Sequence, residues 1–189
     1  MDGQPMDRTT PDPLPRSCGG VVLRRLTITD LADFQAYRHD PEVGRYQGWE
    51  PVADDRAAAF LAEMSEVPLL QPGEWSQIAI ADAGDNRLIG DIGLFLAADS
   101  TYAEIGFSLA RTSQGRGLAT IAVREAIRLI TDSTPAKQII AIADARNMPS
   151  IRLLERVGMV RIGSTDTTFR GEPAVEFTYA LAIDRLSQT

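Results

Sequence analysis

The segment SQGRGLAT, Ser113 to Thr120, sets Gly115, Arg116 and Gly117 between an apolar run of strand character, YAEIGFSLA, and one of helical character, LATIAVREAIRLI. Glycine has no Cβ and tolerates positive φ, so a backbone built on it approaches a ligand closely. The start of a helix adds unpaired N–H groups and a partial positive charge of about half an electron. Residues of these types in this order make a seat for an anion, most often a phosphate. Main-chain groups of Gln114, Gly115, Arg116, Gly117, Leu118, Ala119 and Thr120 would hold it, and the Arg111 and Arg116 guanidinium groups could add charge.

Two phosphate chemistries compete for such a loop. A dinucleotide fold would show G-x-G-x-x-G, but Thr120 stands at the third glycine position, the run Thr131 to Gln138 offers no strand-end acid at the ribose distance, and no second set of strand-helix-strand units follows. A P-loop is excluded because it needs Gly-Lys-Ser/Thr and the sole lysine is Lys137. With one lysine, Schiff-base chemistry is disfavoured, whereas arginine supplies fork-shaped, charge-assisted contacts.

The elements that must position the loop follow from apolar periodicity. VVLRRL from Val21 reads as a first strand, and TDLADFQAYR as a helix capped by Thr29 or Asp30. HDPEVGRYQGWEPV reads as a loop that carries two aromatic residues, Tyr46 and Trp49, and Asp54 to Met64 as a helix with an acidic start. WSQIAIAD and RLIGDIGLFL are strands joined at AGDN into an antiparallel hairpin. In Tyr102 to Ala110, residues Ala103, Ile105, Phe107 and Leu109 share one face and Tyr102, Glu104, Gly106 and Ser108 the other, which predicts burial on one side only. The helix after Gly117 carries a polar stripe at Thr120, Arg124, Arg128 and Thr131 and is otherwise apolar, as a helix packed on a sheet would be. Gln138 to Ala143 reads as an inner strand, and NMPSIRLLERVG as a helix with Asn147 at the cap, Pro149 in the first turn and Gly158 as the stop. Strands around Met159 to Gly163 and Ala174 to Ala182 end the chain, and the order β-α-α-β-β-β-α-β-α-β-β predicts a mixed α/β sheet.

The chain's 189 residues suffice for one well-buried core, so we read one domain over residues 21–186 behind a disordered tail, residues 1–20, with four prolines. That tail has no secretory apolar core, and no apolar run approaches the roughly 20 residues of a membrane span, so the expected location is cytoplasmic. A formal net charge of −7 disfavours nucleic acid as a partner and suits a cationic acceptor. One cysteine, Cys18, and one histidine, His39, make neither an internal disulfide nor a metal cluster, so no metal is expected.

QGRGLA, Gln114 to Ala119, matches the Q/R-x-x-G-x-G/A signature of the GNAT acetyltransferases, and NMPSIRLLERVGM, Asn147 to Met159, resembles the second motif of that superfamily. LRRLTITDLADFQAYRHDPEVGRY and AEIGFSLA further resemble the branch of Rim-type ribosomal-protein N-terminal acetyltransferases; the likeness runs from about Val21 to Leu186. It implies an α+β fold with a mixed, mostly antiparallel sheet. That sheet would be splayed between Tyr102–Ala110 and Gln138–Ala143, with helices on both faces and acetyl-CoA wedged in the gap. Main-chain groups of about Phe107, Leu109 and Ala110 would pair with the pantetheine as with another strand, and Asn147 and Ser150 would contact the cofactor. The resemblance makes the protein an N-acetyltransferase whose acceptor is a primary amine, of a protein N-terminus or of a small molecule, working as a monomer or homodimer. A non-catalytic acyl-CoA sensor is the alternative.

Acyl transfer needs a neutral amine. An α-amino group is already roughly a quarter neutral at about pH 7.4, whereas a lysine is about a thousandth neutral, a deficit of about 4 kcal/mol, so a base matters more for the second. Glu104, on the non-core face of the cleft strand, matches the glutamate that several members use as base. The tyrosine that many members place seven residues after the motif asparagine is Leu154 here, and the Rim-type branch instead puts a serine, Ser150, in the proton donor's place. Tyr46 and Trp49 are candidates for the acceptor pocket, although loop aromatics also serve as lid or core residues.

Overall fold

A computed structural model describes residues 12–184. Eight strands form one sheet in the order β1-β2-β3-β4-β5-β6-β8-β7. They are β1 Arg16–Cys18, β2 Val21–Arg25, β3 Trp75–Asp82, β4 Leu88–Leu96, β5 Tyr102–Leu109, β6 Gln138–Asp144, β7 Val160–Phe169 and β8 Glu172–Ala182. All neighbours are antiparallel except β5 and β6. The parallel pair requires a crossover, and helix α4, Leu118–Ser133, supplies it. The remaining helices are α1 Leu31–Arg38, the single turn α2 Pro41–Gly44, α3 Asp54–Glu66 and α5 Met148–Arg156.

Each face of the sheet has its own core. On one, Ala122, Val123, Ala126, Leu129 and Ile130 of α4 and Ile151 and Leu154 of α5 pack on Ile78, Ile92, Leu94, Ile105 and Ile139. On the other, Phe34, Tyr37, Ala57 and Leu61 of α1 and α3 pack with Leu26, Ala79 and Leu88. The second face also buries charge: Asp91 of β4, 1% exposed, accepts from Arg38 Nη2 at 2.6 Å, Gln77 Nε2 at 2.8 Å and the Tyr37 hydroxyl. Asp91 is thus held by three donors, as burial of a carboxylate requires, while Arg38 Nε stays without a hydrogen-bond partner.

Three sequence expectations are corrected. The tail expected to be disordered to Gly20 contains β1, whose Arg16 pairs with Leu23 and whose Cys18 packs against the core; residues 1–11 lie outside the described ones. Asp30 does not cap α1 with its side chain but accepts both Arg24 guanidinium nitrogens at 2.8 Å and the Thr27 amide at 2.9 Å, because Thr27 opens a short 3₁₀ turn first. Burial on β5 is not confined to one face, since Ser108 is only 4% exposed beneath Trp49, whose Nε1 donates to Ser108 Oγ at 3.3 Å.

Candidate active site

The glycine loop has the geometry its composition suggests. Gly115 and Gly117 take φ of 74° and 79°, left-handed values that an L side chain rarely adopts. Gly117 begins α4 without a side-chain cap, and the first helical bond is Ile121 N–H to Gly117 O at 3.2 Å. The amides of Leu118, Ala119 and Thr120 therefore precede the helical ladder and point out of the helix end. No acidic residue occupies the first turn of α4 to neutralise them.

Beside the loop the sheet parts. β5 and β6 are paired only at Tyr102–Gln138, Ala103–Ile139 and Glu104–Ile140; beyond that rung no β6 residue faces Ile105, Phe107 or Leu109. The hydrogen-bond alternation shows which groups are left facing the gap. Ala97 N–H donates to Tyr102 O at 2.9 Å and Ala110 N–H to Ile89 O at 2.7 Å, so the even-numbered residues of β5 bond to β4. Main-chain groups of Ile105, Phe107 and Leu109 consequently face the cleft. Two of the carbonyls are taken by side-chain amides: Gln114 Nε2 donates to Leu109 O at 2.9 Å and Gln47 Nε2 to Phe107 O at 3.2 Å.

The gap and the helix end open into one cavity of about 660 Å³. Of the residues singled out from sequence, Tyr46, Phe107, Leu109, Arg111, Gln114 and Gly115 line it, as do Gly117, Leu118, Ala119, Thr120, Asn147 and Ser150. The last two come from the start of α5, where Asn147 Oδ1 accepts the Ser150 amide at 3.3 Å. Four others stand elsewhere. Arg116 turns its guanidinium towards Asp82, 3.9 Å away, and Ala110 packs with the α1 and α3 core. Trp49 lies under the wall, with the Arg38 guanidinium 4.3 Å over its ring and its indole on Ser108. Glu104 is half-buried at the apex, on the last rung before the strands diverge and opposite Phe95 of β4. Burial pushes its carboxyl above the usual glutamate value, the direction that makes a stronger base of the ionised form.

Sequence reasoning missed several wall residues. Gln47 and Ser108 were hidden because their roles depend on pairing across 60 and 59 residues of chain. Arg146 clamps Asp144 with two nitrogens at 2.9 and 2.6 Å, and its guanidinium lies 5.7 Å from the Tyr46 ring. Arg156 also lines the cavity and reaches Thr120 Oγ1 at 3.4 Å. Their position on either side of the Asn147 motif was the available signal. Among the described residues no group of histidine, cysteine and carboxylate side chains is arranged to hold a metal ion, and no helix is long and apolar enough to cross a membrane.

Comparison with known proteins agrees with this arrangement. Residues 21–160 match the model of the acetyltransferase (GNAT) domain family. The chain is 28% identical over 144 residues to the uncharacterized N-acetyltransferase p20 of Bacillus licheniformis, a match that covers 76% of this chain and 80% of that protein. Its fold superposes on RimL, the ribosomal L7/L12 alpha-N-protein acetyltransferase solved with coenzyme A, with a TM-score of 0.78 at 14% identity over 89% of this chain and 97% of that one. It also superposes on the spermidine N-acetyltransferase of Vibrio cholerae, solved with CoA and spermine, with a TM-score of 0.72 at 19% identity over 86% of this chain and 95% of that one.

Proposed function

The chain belongs to the GNAT acetyltransferase family, and from that premise we propose that it transfers acetyl from acetyl-CoA directly to a primary amine at the apex of the β5–β6 gap. One observation carries the assignment: the gap begins at Glu104 and runs to a glycine-built, uncapped helix start, joining a strand-like seat to a diphosphate seat in one cavity.

In this reading the diphosphate lies against the amides of Gly115 to Thr120, where both glycines let the backbone approach and the helix end supplies positive potential. The pantetheine runs along β5 as an additional strand, with the thioester beside the apex. Glu104 takes the proton of the incoming ammonium, directly or through one water, and the amine nitrogen then attacks the thioester carbonyl carbon. The C–S bond breaks as the C–N bond forms, the thiolate leaves as CoA thiol with a proton delivered from the Ser150 hydroxyl, and the second proton, given up by the acylated nitrogen, passes through solvent to restore Ser150. Asn147 keeps the Ser150 turn in place through its cap.

RimL acts on a protein α-amino group and the Vibrio cholerae enzyme on spermidine, so both acceptor types occur on this fold. The acidic balance of this chain suits either cation. A screen with acetyl-CoA against peptides with free N-termini, polyamines and aminoglycosides, read by thiol release, tests the proposal. Amine-dependent release by the parent protein, lost in Glu104→Gln, is expected. Coenzyme binding with no amine-dependent release from any class would refute catalysis and leave a sensor.

A further inference from the structure

One of the β5 carbonyls that face the gap is already taken by a side chain from elsewhere in the fold. Phe107 O faces the cleft, where the β5–β6 ladder has ended, and it is the Gln47 side-chain amide that completes it at 3.2 Å. Gln47 reaches in from the segment between α2 and α3, flanked by Tyr46 in the cavity wall and by Trp49 on Ser108. The comparable contact at Leu109 is different in kind. Gln114 lies only five residues along the chain, bonds at 2.9 Å, and belongs to the turn that shapes the glycine loop. The Gln47 contact is longer and spans two separate elements.

We infer that Gln47 is a surrogate strand partner, which donates to the Phe107 carbonyl and is displaced from it by an amide N–H of the coenzyme's pantetheine arm. The physical requirement is the one that governs any strand bordering a gap, that a main-chain carbonyl which has lost its strand partner takes another donor. Gln47 supplies it reversibly, because a side-chain amide on three rotatable bonds leaves more easily than a strand. The consequence is a competition. The coenzyme must break the Gln47 bond to make its own, and its arrival frees Gln47 of the wall segment Tyr46 to Trp49, which Arg170 Nη2 of the β7–β8 turn holds at Trp49 O, 3.4 Å away, and just before it at Gly44 O, 3.1 Å away. Coenzyme occupancy is thereby reported to the wall that the acceptor must pass. Gln47 is a positioning residue and touches no reacting atom.

This inference rests on the coenzyme-binding reading of the cleft, and the test separates the two. CoA affinity is measured by calorimetry for the parent, Gln47→Ala and Gln47→Met, with melting temperatures confirming folded protein. Methionine keeps the length of glutamine and lacks the donor, so it separates the lost hydrogen bond from lost bulk. Both variants are expected to bind CoA about threefold to tenfold more tightly than the parent, the factor that corresponds to one net hydrogen bond. In a Trp75→Phe background, where Trp49 is the remaining tryptophan, CoA is expected to shift the emission of the parent, and Gln47→Met is expected to show much of that shift before any CoA is added. Tightening in alanine alone, unchanged or weaker affinity in both, or an emission that CoA does not move would overturn the role of Gln47 while leaving the coenzyme site standing. An absence of CoA binding by the parent would overturn both.

Discussion

Replacing Gly117 by alanine separates two consequences of one backbone torsion. Gly117 holds φ at 79°, and a Cβ added there would meet nothing within 4 Å, so the variant suffers strain and no collision. Holding an L residue in the left-handed region costs about 1–2 kcal/mol, and the stiffer unfolded chain returns about 0.4–1 kcal/mol. The net loss, on the order of 0.5–1 kcal/mol, corresponds to a fall in melting temperature of about 1–4 °C for a chain of this size. Coenzyme binding responds more strongly. The strain is relieved by rotating the peptide units on either side of residue 117, which swings one or two amides away from the diphosphate. Each such bond to a charged group is worth about 1.5–3 kcal/mol, so the dissociation constant for CoA rises by about tenfold to hundredfold. Scanning fluorimetry gives the first number and calorimetry with CoA the second. A melting temperature that falls as calculated while CoA affinity stays within about twofold would refute the reasoning, because the torsion would then serve the helix start alone.

Three further outcomes are expected. Glu104→Gln lowers kcat/KM for amine acceptors by about a hundredfold or more, measured by thiol release, and removes the acidic limb of the pH profile. Burial raises the Glu104 carboxyl in the folded state, so folding retains its proton where the unfolded chain has lost it. That contribution disappears as pH rises from the ordinary glutamate value through the raised one, so above both the variant melts at or above the parent's temperature and below both the advantage is gone. Asp91→Ala strips the partner from Arg38, whose side chain is only 8% exposed, and an uncompensated buried guanidinium costs about 3–5 kcal/mol in urea unfolding. Gly106→Val raises the KM for acceptor and leaves CoA affinity unchanged, since Gly106 shares the face of Glu104, is exposed, and has open space where a Cβ would point.

How much of this was legible in the sequence depends on whether the information was local. The glycine loop, the Asn147 cap and the start of the buried helix α4 are written in neighbouring residues and were read where they lie, and the helical run was read to Ile130 where α4 ends at Ser133. The two last strands were read short, Met159 to Gly163 and Ala174 to Ala182, where the structure runs Val160–Phe169 and Glu172–Ala182. β7 is an edge strand, and Ser164 to Thr168 are polar on both faces, so no period of two betrays them. α2 escaped notice because a single turn built on Asp40 and Pro41 has no periodicity to show. The parting of β5 from β6 is invisible in either strand alone, since it is a failure of pairing between segments 36 positions apart in register. Family resemblance supplied it, and the same absence of local signal hid Gln47 on Phe107 O.

The place of reaction follows from the sheet more strictly than from any side chain. An unbroken ladder of main-chain hydrogen bonds is impermeable, and here it separates a face bearing α4 and α5 from a face bearing α1 and α3. The helix end that suits a diphosphate belongs to the first face. Glu104, Gly106 and Ser108 point to the second, where Tyr46 and Gln47 stand. Two reactants approaching from opposite faces can meet only where rungs are missing, and among the described strand pairs the ladder ends early only between β5 and β6, one rung past Ala103. On the proposed reaction, a base for the acceptor would lie at that rung on the second face. Glu104 is the residue of β5 that does, so its assignment stands or falls with the pairing register.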